Sequence, residues 1–226
     1  MRRLCLLIAA SLLPAHAAQV PVPTPTGGIP AGATVARHEG PAVTVQTTAP
    51  ARAGWLTGLR VTAGGTSRTF PKWRTISNPT FWPGLSVTDV TGDARPEVLV
   101  TLMTDEGTGV AVFDAHVLSL PDLREWPVTP PVPYLRQQVR FGANSLTLPG
   151  RSVKLPPLPG VPPGEATRIG DQVRWTVQGG QLTALVEVQR AWAFTGRLVL
   201  TYRAQNGRLI PDRVRFDPTP LDELPE

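Results

Sequence analysis

The run Gly84-Leu85-Ser86-Val87-Thr88-Asp89-Val90-Thr91-Gly92-Asp93-Ala94-Arg95-Pro96-Glu97-Val98-Leu99-Val100-Thr101-Leu102 decides the fold class of this chain. Its second half runs into Pro96 to Met103, an almost unbroken apolar, β-branched segment. That is the pattern of a strand covered on both faces rather than one. Leu85 to Thr88 is a shorter strand leading into the acidic stretch. Glu106-Gly107-Thr108-Gly109 reads as a turn, and Val110 to Leu120 as the strand that returns from it. The two long strands predict a β-hairpin at the centre of a β domain.

Outward from this hairpin the same grammar continues. The chain holds 26 Pro and 21 Gly among 226 residues, which leaves little room for long helices. Short apolar runs recur instead. Ala42 to Thr47 alternates, Trp55 to Thr62 is a strand interrupted at Gly58, and Thr69 to Ser77 surrounds Trp73. Downstream, Gln172 to Val177, Leu182 to Gln189, Arg197 to Ala204 and Leu209 to Phe216 form a series separated by Gly179-Gly180 and Asn206-Gly207. Asn-Gly between two apolar runs is a strong hairpin signal. The fold expected is mostly β, built of antiparallel sheets and a meander, sandwich-like or like a single propeller blade. Pro-rich gaps fall at Pro127 to Pro133 and Pro156 to Pro163. The boundaries that follow are a signal segment at 1–17, a Pro-rich linker at 18–40, a β domain at 41–155, a connector at 156–163, and an antiparallel meander with a tail at 164–226.

The N-terminus has the layout of a secretory signal: Arg2 and Arg3, an apolar run from Leu4 to Leu13, then Pro14 and Ala15-His16-Ala17. Cleavage after Ala17 places small residues at the two positions that require them. The run is too short to span a bilayer, which takes about 20 apolar residues. The chain is therefore expected to be extracytoplasmic, periplasmic or secreted, with no membrane anchor after cleavage. Cys5 is the only cysteine and would leave with the signal, so no disulfide framework is expected. Removing Arg2 and Arg3 from the 22 basic residues leaves 20 against 17 acidic ones, a net charge of +3. No dense basic cluster is interleaved with aromatics, which argues against a nucleic-acid partner.

The acidic stretch carries the one motif that rises above composition. Oxygen-bearing side chains fall at Asp89, Thr91, Asp93 and Glu97, and the Arg95 carbonyl can fill a gap between them. A hard cation such as Ca²⁺ takes about six to eight oxygens. The stretch resembles the D-x-[DN]-x-D-G-x-x-[DE] loop of FG-GAP/VCBS repeats, over about 20 residues. What the resemblance implies is a strand–loop–strand unit binding one Ca²⁺ through Asp89, Thr91, Asp93, Arg95 and Glu97. This sequence departs from the pattern in two places. Thr91 stands where the family has Asp or Asn, and Ala94 where it has Gly, at a position that often requires positive φ. A metal-free turn, capped by Asp89 or Asp93, is the other reading of the same residues. The motif occurs once, so a closed propeller is not expected.

Catalytic signals are sparse. His38 and His116 are the only histidines beyond the signal. His116 follows Asp114 by two residues, which puts both on one face of a strand as a possible base or metal pair, or as a plain polar face. No G-x-S-x-G elbow, no H-E-x-x-H and no cysteine beyond the signal is present. Trp55, Trp73, Trp82, Trp126, Trp175 and Trp192 either fill cores or stack on sugar rings. Two functions are carried forward. One is a non-catalytic β-rich binding or structural module of the cell envelope, its partner an envelope component or carbohydrate. The other is an envelope enzyme acting on polysaccharide or peptidoglycan.

Overall fold

The computed structural model describes residues 19–23, 28–107, 110–142, 144–155, 158, 160–162 and 164–221. The expected signal segment lies outside them, as do Thr108 and Gly109 of the expected turn and part of the 156–163 connector. Four strands open the chain: β1 (Thr34–His38), β2 (Val43–Thr47), β3 (Trp55–Ala63) and β4 (Thr66–Ile76). They pair antiparallel in sequence order as one sheet. Next come β5 (Gly84–Thr88), β6 (Glu97–Gly107), β7 (Val110–Ser119) and the short β8 (Glu125–Trp126). The helix α1 (Pro131–Gln138) precedes a small sheet of β9 (Arg140–Phe141), β10 (Ser145–Leu148) and β11 (Arg151–Lys154). The long strands β12 (Thr167–Gln178), β13 (Gln181–Arg190), β14 (Ala193–Gln205) and β15 (Arg208–Asp217) complete the fold.

The structure is mostly β and predominantly antiparallel, as the apolar runs predict. The β5–β6–β7 unit and the C-terminal meander are joined in one eight-stranded sheet ordered β15-β14-β13-β12-β7-β6-β5, with β8 beside β7. The joint is parallel, Gln172 opposite Ala111 and Val173 opposite Val112. The two parts on either side of the 156–163 connector thus share a sheet.

Two cores follow from this arrangement, and β6 is the wall between them. Leu99 belongs to one, with Val117, Val173, Leu182, Val186, Leu198 and Tyr202. Val98, Val100 and Leu102 belong to the other, against Leu56, Leu59, Val61, Phe70 and Trp73 of the first sheet. Alternate residues of a strand point to opposite faces, so a strand pressed between two layers needs apolar residues at every position. The run from Val98 to Met103, apolar except at the half-buried Thr101, has this cause.

Three local readings need correction. Pro127 to Pro133 reads as an irregular gap, yet α1 begins within it. Pro131 and Pro133 sit in the first helical turn, where amides have no intrahelical acceptor and Pro is tolerated. Gly58 does not end a strand: β3 runs through it at φ +68, and a Cβ there would collide with Thr48 Oγ1. His38 is not in a loose N-terminal segment. It lies in β1, is 3 % exposed, and has Nδ1 3.1 Å from the Pro41 carbonyl. The 18–40 range thus contains a strand, and Gln19 is tied down as well: its side chain accepts from Leu85 N at 2.9 Å and donates to the Pro83 carbonyl at 3.1 Å.

Candidate functional site

The acidic stretch folds as the loop between β5 and β6. Asp89 Oδ1 accepts from the amides of Thr91 (3.1 Å) and Gly92 (2.7 Å), and Oδ2 from that of Ala94 (2.9 Å). Asp93 Oδ1 accepts from Arg95 N at 2.9 Å. Glu97, 3 % exposed at the start of β6, accepts from Val90 N (2.9 Å) and from the Thr91 hydroxyl (3.1 Å). Burial pushes the Glu97 carboxyl above its ordinary range; the Val90 and Thr91 hydrogen bonds oppose this, and the nearby Asp93 and Asp89 charges add to it. Ala94 takes φ +64, the conformation that favours glycine at this place. The structure thus brings Asp89, Thr91 and Glu97 together, with Asp93 on the exposed rim, and commits most of their oxygens to the loop's own donors. Among the described residues no group of three or more His, Cys, Asp or Glu side chains is disposed to hold a metal ion.

A second cluster forms where the two large sheets meet. It starts at an irregularity in β4: Leu59 pairs with Phe70 and Thr57 with Arg74, so four residues of β4 span two of β3. Such a bulge breaks the inside–outside alternation. Phe70 and Trp73, three apart, both turn inward, and their rings stack at 4.0 Å and 12°. β4 is an edge strand of its sheet, where Pro71 removes no needed donor. Across the interface His116 of β7 lies on the other face of Trp73, ring centroids 4.1 Å apart.

Glu125 locks this stack. Its Oε1 accepts from Trp73 Nε1 at 3.2 Å and lies 2.7 Å from His116 Nδ1. The carboxylate is placed by the tight connection from β7 to β8. Ser119 Oγ donates to Asp122 Oδ1 at 2.7 Å, the Arg124 amide donates to the same oxygen at 3.3 Å, and Leu123 turns at φ +53. The Ser119 hydroxyl, then the Arg124 amide, hold the Asp122 carboxyl below its ordinary range. Leu118 and Glu125 are then paired across β7 and β8.

The arrangement has direct chemical consequences. A carboxylate against Nδ1 fixes a proton there, so a neutral His116 presents Nε2 as an acceptor. Two cavities meet at this residue. One, about 440 Å³, is lined by Lys72, Trp73, Arg74, Asp105 and Asp114 among others; the second, about 430 Å³, by Asp114, Glu125, Pro127, Pro131 and Trp175 among others. His116 and Asp114 line both.

Sequence reasoning singled out Asp114 and His116 and missed Glu125 and the role of Trp73. No local pattern links residues 52 positions apart, as Trp73 and Glu125 are. The tryptophans are largely structural. Both faces of Trp73 are covered, by Phe70 and His116. Trp82 donates to the Ser77 carbonyl at 3.1 Å and Trp175 to the Phe113 carbonyl at 2.7 Å. Trp192, 70 % exposed at the β13–β14 turn, is the one large apolar side chain left open among the described residues. Compared with protein-family models, with curated proteins and with solved structures, the chain matches none of them.

Proposed function

We propose that this chain is an exported, non-catalytic, β-rich binding module of the cell envelope, and that it takes its ligand in the groove around His116. One observation carries this reading: Asp114 and His116 line two adjoining cavities of about 440 and 430 Å³ at the junction of the sheets, and Glu125 joins them in the second. Pockets with a few convergent polar groups on rigid strands are where ligands bind. The loop from Asp89 to Glu97 supports the module as an anchored turn. The single Ca²⁺ implied by its likeness to FG-GAP/VCBS repeats is part of the proposal. The residues that the resemblance implies, Asp89, Thr91, Asp93, Arg95 and Glu97, would have to release the amide and hydroxyl donors that now occupy most of their side-chain oxygens to hold it.

A second reading has its own observation. The Glu125–His116 pair, 2.7 Å apart, is the arrangement of a fixed general base, which favours an envelope enzyme acting on polysaccharide or peptidoglycan. One experiment tests both. The protein is mixed with insoluble peptidoglycan and with insoluble cell-wall polysaccharide, and both retention and release of reducing ends are measured. The module reading expects retention, reduced about tenfold by Asp114→Asn, with no release. Release abolished by His116→Ala selects the enzyme. Absence of both retention and release rejects the two readings together.

A further inference from the structure

The sheet contains a gap. On the edge of β7 away from β6, the β12 ladder stops at Val112 and the β8 ladder resumes at Val117. Among the described residues no strand pairs with this edge between Phe113 and His116. The Phe113 carbonyl on this edge accepts from the Trp175 indole, and the Ser119 amide on the same edge donates to the Arg124 carbonyl at 2.9 Å. Backbone groups of alternate residues in a strand point to the same edge. Ala115 is two residues from Phe113 and four from Ser119, an even step from both, so its N–H and C=O face the gap.

The 430 Å³ cavity occupies that gap. Its walls are apolar where Pro127, Pro131 and Trp175 form them, and its charged side chains are Asp114 and Glu125, with no Lys or Arg in the lining. Glu125 directs one oxygen to Trp73 and His116. Asp114 is exposed. A carboxylate pair over an apolar wall suits a cationic head on an aliphatic stem. An adjoining open strand edge suits a backbone.

We infer that the groove takes an extended peptide segment, which pairs with the backbone of Ala115 and places one Arg or Lys side chain between Asp114 and Glu125. The inference rests on the proposed binding role and names its ligand class. Backbone pairing distinguishes this ligand from a free amine: a lone guanidinium satisfies the carboxylates but leaves the Ala115 groups to water.

The test is a nitrogen-15 NMR titration of the whole protein with three probes. They are a blocked pentapeptide of sequence Val-Thr-Arg-Thr-Val, the same peptide with Glu at the centre, and arginine amide. The Arg peptide is expected to shift the amides of Ala115 and His116 and to slow hydrogen exchange at Ala115. Asp114→Asn is expected to weaken it about tenfold, while the Glu peptide leaves the spectrum unchanged. Equal binding of arginine amide overturns the peptide part of the inference, and equal binding of the Glu peptide overturns the charge part. No shift at Ala115 with any probe overturns the whole. If polymer retention persists in that case, the binding module stands and only its ligand class is wrong.

Discussion

Replacing Glu125 by Ala strands the Trp73 indole. Trp73 is 5 % exposed and its Nε1 donates to Glu125 Oε1 at 3.2 Å, so the substitution removes the indole's only side-chain acceptor among the described residues. A buried donor left without a partner costs about 1–3 kcal/mol. The His116 contact adds less. Its side chain is 19 % exposed and that of Glu125 is 35 % exposed, so solvent screens the pair to about 0.2–1 kcal/mol. The total is about 1–4 kcal/mol. For a domain of this size it corresponds to a fall in Tm of roughly 2–16 °C. Glu125→Gln keeps a carbonyl acceptor for the indole and is expected to lose less than about 1 kcal/mol. Urea denaturation of the three proteins measures the differences. Long-range nitrogen-15 NMR of the imidazole reads the tautomer, which is expected to lose its preference for Nδ1–H in the Ala variant. An Ala variant within about 0.5 kcal/mol of the parent, or a Gln variant as damaged as the Ala one, would refute the reasoning.

Three further outcomes follow from the same structure. Ala94 sits at φ +64 in the acidic loop, so Ala94→Gly is expected to raise stability by about 0.5–1 kcal/mol, read from the urea midpoint at unchanged slope; melting in Ca²⁺ and in chelator, with Asp93→Ala alongside, reports whether the loop also holds the ion. Gly196 adopts φ +135, and a Cβ there would run into the Asp217 carbonyl, the Phe216 ring and Pro218 Cα, so Gly196→Ala should cost well over 2 kcal/mol. Burial pushes the Asp217 carboxyl up, but the Thr219 amide and Arg197 at 2.8 Å outweigh it and leave the group below its ordinary range. A depressed carboxylate stabilises above its unfolded pKa and loses that contribution as pH falls through the folded one. Asp217→Asn should therefore cost about 1–3 kcal/mol near neutrality, a difference that shrinks below about pH 4.

The sequence by itself determined what one segment can decide alone. Apolarity from Val98 to Met103, interrupted only by Thr101, required a layer on each face of β6, and the two cores supply it. Asn206-Gly207, at φ +52 and +72, and Gly179-Gly180, at φ +56 and +73, set tight antiparallel returns because these residues reach the left-handed region at little cost. Asp89 capped its own loop, since an Asp side chain reaches amides two to five residues on. Tertiary packing decided the rest. The parallel pairing of β12 with β7, and the gap it leaves before β8, depend on how distant strands meet. The helix that begins within Pro127 to Pro133 was settled by the packing of Leu135 into the core, which prolines in the first turn do not forbid. The Trp73–His116–Glu125 lock needed a bulge in one sheet, a turn in another and the contact between them. Each part is local, but Trp73 lies 52 positions from Glu125, and no spacing in the sequence reveals that contact.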